Sequence, residues 1–241
     1  MGFLHRWERD PSRPTVRAAL SDLGRRALLP VVPLWAMIVG TGFLIVGPLH
    51  SLPEEGAVNE ALVSERTPVL DAVTSVLSNI GATLFIISAC LVAIGVLWWR
   101  TGQWWLAIVP GIAVALQALV FITSSALVGR ERPDVEPLDI APPTSSYPSG
   151  HTGASTAFYL TMAMLAQRIR RPALRRTATI ACVLVPLLVA TARLYRGMHS
   201  PTDVVVGFLN GIACALIAWH YLRRDRRSQR AASPSAEVAA G

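Results

Sequence analysis

Long apolar stretches separated by short polar ones divide this chain. From Leu28 to Leu49 almost every position is apolar. About 20 such residues, rising 1.5 Å each, cross a hydrocarbon layer ~30 Å thick, so this stretch predicts a first membrane span. Pro30 and Pro33 lie near its start, where proline is tolerated. A second apolar run, Val69 to Trp99, is longer than a crossing needs and predicts one long span that begins in the interface. Further spans are predicted over Leu106–Val128, Thr152–Gln167, Thr177–Ala192 and Pro201–Tyr221. The expected fold is all-α, an integral membrane six-helix bundle.

The polar intervals carry the remaining organisation. Residues 1–26 are arginine-rich and hold a short amphipathic piece around Val16 to Leu23; the first apolar run starts too late for a cleaved secretion signal. Residues 50–68 set Glu54, Glu55, Glu60 and Glu65 against Arg66, with an Ala57, Ala61, Leu62 spacing that suggests a short surface helix. Trp98, Trp99, Trp104 and Trp105 bracket a tight turn, as at a membrane surface. Prolines between 129 and 151 preclude a continuous helix there. The expected organisation is a cytoplasmic tail over 1–26, one membrane domain over 27–222 and a disordered cytoplasmic tail over 223–241.

Charge changes this picture in one respect. All 22 basic residues are arginine, and they exceed the 15 acidic ones by seven. Threading six spans puts seventeen arginines on one side and five on the other, so the basic balance is mostly a topology signal with both termini cytoplasmic. Nucleic-acid binding is disfavoured. Cys90, Cys182 and Cys214 sit singly in apolar runs and form neither a disulfide framework nor a metal motif. Four of the five arginines on the minority side, Arg130, Arg132, Arg193 and Arg196, fall in polar clusters that topology does not explain.

Those clusters, at 130–133, 148–151 and 193–203, share the outer face. They offer Arg130, Arg132 and Arg193 as fixed charges and Ser149 and Gly150 at a helix start, a combination suited to a phosphate-like anion. His199 and Asp203 are spaced i, i+4, with Ser200 as N-cap and Pro201 at the first helical position, so the carboxylate is expected to hold one ring nitrogen and leave the other as nucleophile or base. His151, on another helix, is free to protonate a leaving oxygen. Two such histidines suit two-step phosphoryl transfer through a phosphohistidine, with no metal or other cofactor required. His5, His50 and His220 have no such company and read as structural.

The series GRERP, YPSGH and RLYRGMHSPTD resembles the three-part signature of the type-2 phosphatidic-acid phosphatase family, membrane relatives of the vanadium-dependent haloperoxidases. The resemblance implies that Arg132, Ser149, Gly150 and Arg193 hold the phosphate, that His199 is the nucleophile assisted by Asp203, and that His151 is the general acid. The family's first motif begins with a lysine seven residues before the arginine that precedes proline; here that position is Ser125, and Ala192 stands where serine is frequent. Ser125 and Arg130 are further candidates for the phosphate site. The expected activity is hydrolysis of a lipid phosphomonoester or polyprenyl pyrophosphate at the extracytoplasmic membrane face. The alternative, motivated by Ser125, is a non-catalytic binder or transporter of phosphorylated lipid; a haloperoxidase is disfavoured by the membrane spans. Neither the lipid nor the oligomeric state follows from the sequence.

Overall fold

The computed structural model describes residues 13–222, and all of its regular structure is helical. Helix α1 (Val16–Leu23) starts at Thr15, whose hydroxyl accepts from the Ala18 N–H at 3.3 Å. It continues through a wider π turn, Gly24–Leu28, into α2 (Leu29–Val46). The amphipathic piece and the first span are thus one helix of 31 residues, and the expected boundary at 26/27 falls inside it. Residues 1–12 and 223–241, including the tail expected to be disordered, lie outside the described residues. Helix α3 (Glu55–Ser64) is the short helix expected between the first two spans.

The single long second span is not found. Two helices replace it, α4 (Pro68–Ile80) and α5 (Thr83–Thr101), separated at Gly81 and Ala82. The reason lies in α4's polar positions. Asp71, Thr74 and Ser78 recur at i, i+3, i+7 and turn inward, while Val69, Val73 and Val76 are exposed on the opposite side. At 13 residues, about 20 Å, α4 is too short to cross a bilayer. It ends where the next residue, Gly81, meets a neighbour: a Cβ there would lie 2.5 Å from the Val189 side chain.

The rest follows the apolar pattern more closely. A one-turn helix α6 (Trp104–Ala107) leads into α7 (Val109–Val128), then α8 (Gly150–Ala166), α9 (Pro172–Tyr195) and α10 (Pro201–Trp219). Helix α9 starts five residues before the expected Thr177, with Pro172 at its first position, so Arg175 and Arg176 are helical rather than in the loop. Among the described residues, five stretches are long and apolar enough to cross a membrane: Val16–Val46, Thr83–Thr101, Trp104–Val128, Pro172–Tyr195 and Pro201–Trp219. Helix α8, at 17 residues, is the shorter sixth; it packs against α7, α9 and α10 and buries Thr152, Ser155, Thr156 and Thr161. Large apolar side chains such as Leu84, Leu91 and Trp99 cover the outside of α5, the arrangement of a multi-pass membrane protein.

Helices α8 and α10 approach most closely through glycine. A Cβ on Gly207 would lie 2.7 Å from the Ser149 carbonyl oxygen, so any larger residue forces the helices apart. That contact joins the N-cap of α8 to the second turn of α10, close to the polar clusters at the two helix starts. The connecting segment, residues 129–149, is irregular but tied down. The Tyr147 hydroxyl donates to the Ile38 carbonyl at 2.7 Å, the Ser146 N–H to the Arg130 carbonyl at 2.9 Å and the Leu138 N–H to the Arg196 carbonyl at 3.1 Å.

Candidate active site

The start of α10 sets the position of Asp203. Ser200 is the N-cap and Pro201 the first helical residue, as the sequence suggests, and the Asp203 carboxylate folds back to accept the Ser200 N–H at 2.8 Å. That bond decides where the carboxylate goes. Its Oδ2 lies 3.9 Å from His199 Nδ1, too far for the hydrogen bond expected between them. Asp203 is instead wholly buried and accepts from the Ser146 hydroxyl and from Arg130 Nη1, the latter at 2.6 Å.

The imidazole of His199 is held by the loop. Its Nδ1 lies 2.8 Å from the Ser146 carbonyl oxygen. A carbonyl only accepts, so Nδ1 carries the proton in this arrangement and the lone pair belongs to Nε2. Burial lowers the basicity of His199 well below the usual histidine value, and the nearby charges of Arg193 and Arg132 lower it further. The ring is therefore neutral near pH 7. It borders a cavity of about 300 Å³ that Arg132, Gly150, His151 and Arg193 also line.

Of the residues expected at a phosphate site, the cavity brings together His199, His151, Arg132, Arg193 and Gly150. The others sit behind them. Ser149 is buried, with its N–H donating to the Asp203 carbonyl oxygen at 2.9 Å and its hydroxyl 2.9 Å from that of Thr152. Ser125 is also buried, and its hydroxyl accepts the Ser145 N–H at 3.1 Å. Arg130 does not line the cavity. Its guanidinium is consumed by Asp203, Thr202, the Ser51 carbonyl and Glu55, so it balances buried carboxylates rather than offering a free charge.

The two cavity arginines are secured differently. Arg132 donates to the carbonyls of Met198 at 2.7 Å and Thr144 at 3.2 Å, both neutral groups, rather than to a carboxylate. Arg193 donates from Nη1 to the Ser78 hydroxyl at 2.9 Å and to Asp139 at 2.8 Å. Asp139 also takes a forked pair from Arg196, at 2.9 and 2.6 Å. Burial alone would raise the Asp139 pKa; the Arg196 bonds and the charge of Arg193 more than reverse this and hold it below the usual carboxylate value. Arg196 is thereby accounted for as the partner of Asp139, of the Asp71 carbonyl and of Thr74.

Asp139, Ser146 and Glu55 belong to the site without standing in any of the three sequence clusters. Ser146 acts partly through its backbone carbonyl, which no residue type announces. For Asp139 there was a usable signal: Arg196 on the outer face without a phosphate role called for a carboxylate among Glu131, Asp134, Glu136 and Asp139. The opposite wall of the cavity is apolar, built by Ile86 and Ile87 of α5 and by Val114, Ala118, Phe121 and Ile122 of α7. Ile87 and Ile122 are also exposed on the outer surface, so this wall reaches the face that meets lipid.

Comparison with known proteins places the chain in a family and supports its fold. The profile of the PAP2 superfamily matches residues 104–227. Phosphatidylglycerophosphatase B of Bacillus subtilis (strain 168) is 26% identical over 160 residues, covering 65% of this chain and 77% of that protein. The crystal structure of a transmembrane PAP2-type phosphatidylglycerolphosphate phosphatase from Bacillus subtilis superposes with a TM-score of 0.67 at 21% identity, covering 79% of this chain and 92% of the other. Aquifex aeolicus LpxE superposes with a TM-score of 0.55 at 22% identity, over 67% of this chain and 92% of the other. These two likenesses carry the fold. The chain belongs to the PAP2 superfamily and is a membrane-embedded lipid phosphate hydrolase.

Proposed function

We propose that this protein is a metal-independent phosphatase that hydrolyses a lipid phosphomonoester or polyprenyl pyrophosphate through a phosphohistidine on His199. One observation carries the reading: a neutral imidazole with its free nitrogen on Nε2 borders the same cavity as Arg132, Arg193, His151 and the first turn of α8. The substrate phosphate lies between the guanidinium groups and the unpaired N–H groups at the α8 start. Nε2 attacks phosphorus as the bond to the lipid oxygen breaks, and His151 gives that oxygen its proton. Water then attacks the phosphohistidine, His151 takes the water's proton, and His199 and inorganic phosphate are released. Arginine charge around the equatorial oxygens stabilises both transition states.

The apolar wall of α5 and α7 supports a lipid tail on the leaving group. It lies beside the charged end and extends to exposed Ile87 and Ile122, so a chain leaving the cavity there enters the bilayer. Phosphatidylglycerophosphate is the first substrate to test, because the Bacillus subtilis relative is named for it. The arginine asymmetry supports cytoplasmic termini and an extracytoplasmic site. The phosphatase domain then runs from the helix that starts at Val16 to residue 222.

The test is phosphate release by purified protein from a panel of lipid phosphates with chelator present. His199→Ala is expected to abolish turnover, and vanadate to inhibit the wild type as a pentacoordinate mimic. Wild-type binding without turnover would instead favour a binder of phosphorylated lipid. The pH dependence is a second check. The unfolded chain protonates His199 near pH 6.5, the folded chain only well below it. Between these values the unfolded state holds the extra proton, so stability contributed by neutral His199 is lost as pH falls through that window. Loss of neutral His199 therefore sets no acid limb of kcat/KM near 6.5.

A further inference from the structure

Helix α3 lies outside residues 104–227, and it carries no part of the three-part signature. Two of its side chains nonetheless reach the turn that carries His199. Asn59, only 1% exposed, donates its Nδ2–H to the His199 carbonyl oxygen at 3.1 Å, across 140 positions of sequence. Glu55, one helical turn earlier on the same face, accepts the Thr202 N–H at 2.8 Å and the Thr202 hydroxyl at 2.9 Å. Residues 199–202 are thus gripped at both ends from one helix.

The grip continues inward. Glu55 also accepts from Arg130 Nη2 at 2.9 Å, and the other arm of Arg130 holds Asp203. Asp203 in turn accepts from the Ser146 hydroxyl, and the Ser146 carbonyl is the partner of the imidazole. Because Asp203 itself stands 3.9 Å from the ring, the aim of Nε2 rests on two things: the backbone position of His199 and the position of Ser146. Glu55 and Asn59 bear on both.

We propose that Glu55 and Asn59 are positioning residues for His199, acting through its carbonyl and through the Arg130–Asp203–Ser146 chain. This rests on the reading of His199 as nucleophile. A loose α3 lets the ring drift from in-line attack, and a displacement of about 1 Å can cost on the order of a hundredfold in rate. Neither arginine bonds α3 directly, Arg132 being held by the Met198 and Thr144 carbonyls and Arg193 by Ser78 and Asp139, so ground-state binding is expected to change less than turnover.

The experiment measures kcat, KM and vanadate inhibition on full-length protein in detergent with a short-chain phosphatidic acid, together with thermal unfolding. Asn59→Leu and Glu55→Gln are expected to lower kcat about ten- to a hundredfold with KM within about threefold, and to weaken vanadate by a similar factor. Exposed Glu60→Gln on the same helix is expected to match wild type. Should Asn59→Leu fail to fold, Asn59→Asp keeps the shape and removes the donor. Unfolding at lower temperature with kcat per folded molecule and vanadate inhibition unchanged would overturn the proposal. If His199→Ala is inactive while the α3 variants are fully active, the inference fails alone. If His199→Ala turns over like wild type, the phosphohistidine reading fails and takes the inference with it.

Discussion

Asp203 and Asp139 both neutralise arginines around His199, but in different surroundings. Asp203 is wholly buried in the first turn of α10 and takes three donors: Arg130, the Ser146 hydroxyl and the Ser200 N–H. Asp139 sits in the connecting loop with 28% of its side chain exposed, and every donor it takes comes from Arg193 or Arg196. A buried carboxylate with its donors fixed by helix geometry is scaffold, because moving it strands charge in a dry interior. A partly exposed one on a loop, resting on an arginine that borders the cavity, can give up that arginine to a phosphate. The comparison separates a charge that holds the site in shape from one that waits at its edge.

The largest effect should come from breaking the buried side. Asp203→Ala leaves Arg130 with Glu55 as its one carboxylate partner and frees the Ser146 hydroxyl, and losing one member of such a pair typically costs about 3–5 kcal/mol. Thermal unfolding should fall steeply and turnover should be nearly lost. If Arg130→Met with Asp203→Leu restores stability but not activity, the pair serves the site rather than the fold. Full recovery of both would remove Asp203 from the argument.

A second strain on the same side is steric. Gly207→Ala puts a methyl 2.7 Å from the Ser149 carbonyl, where overpacking costs roughly 1–3 kcal/mol, and pushes α10 from the α8 start. The Ser149 N–H to Asp203 carbonyl bond of 2.9 Å spans that junction. Activity should therefore drop with stability. An active, destabilised variant would mean that the junction tolerates displacement.

This side of the site was partly legible in the sequence. Long apolar runs bounded by proline and serine gave α7, α8 and α10 nearly to their ends, and Ser200–Pro201 marked the α10 start because cap chemistry is local. The His199–Asp203 bond failed for a local reason too: at the third helical position an aspartate reaches the N-cap N–H more readily than a side chain one residue before the cap. Continuous hydropathy hid the break at Gly81, since three inward polar residues of α4 are outnumbered by the apolar ones facing outward. Asp139, Glu55 and Asn59 depend on chain crossings of 54 to 147 residues, which no short pattern encodes.

On the exposed side, Asp139→Asn should change binding more than folding. Arg196 keeps its bonds to the carbonyls of Asp71 and Leu138 and to Thr74, while Arg193 loses its nearest negative charge. Inorganic phosphate should then inhibit more strongly, by about tenfold if the freed attraction is near 1.4 kcal/mol. Depressed as it is, Asp139 stays charged through the neutral range, so the wild-type competition should persist from pH 6 to 8. An unchanged inhibition constant would place Asp139 with Asp203 as scaffold.

The smallest effect is expected at Ser125, where the family signature has a lysine. Its hydroxyl accepts one N–H, from Ser145, and a single such bond is worth about 1 kcal/mol. Ser125→Ala should lower the unfolding temperature slightly and leave turnover within about threefold. Ser145 borders the cavity, so a larger loss would mean that the hydroxyl reaches the phosphate itself. A small loss would leave Arg132 and Arg193 as the full arginine charge lining the cavity, and the guarding of Arg193 by Asp139 would then weigh more heavily on how tightly the site holds its substrate.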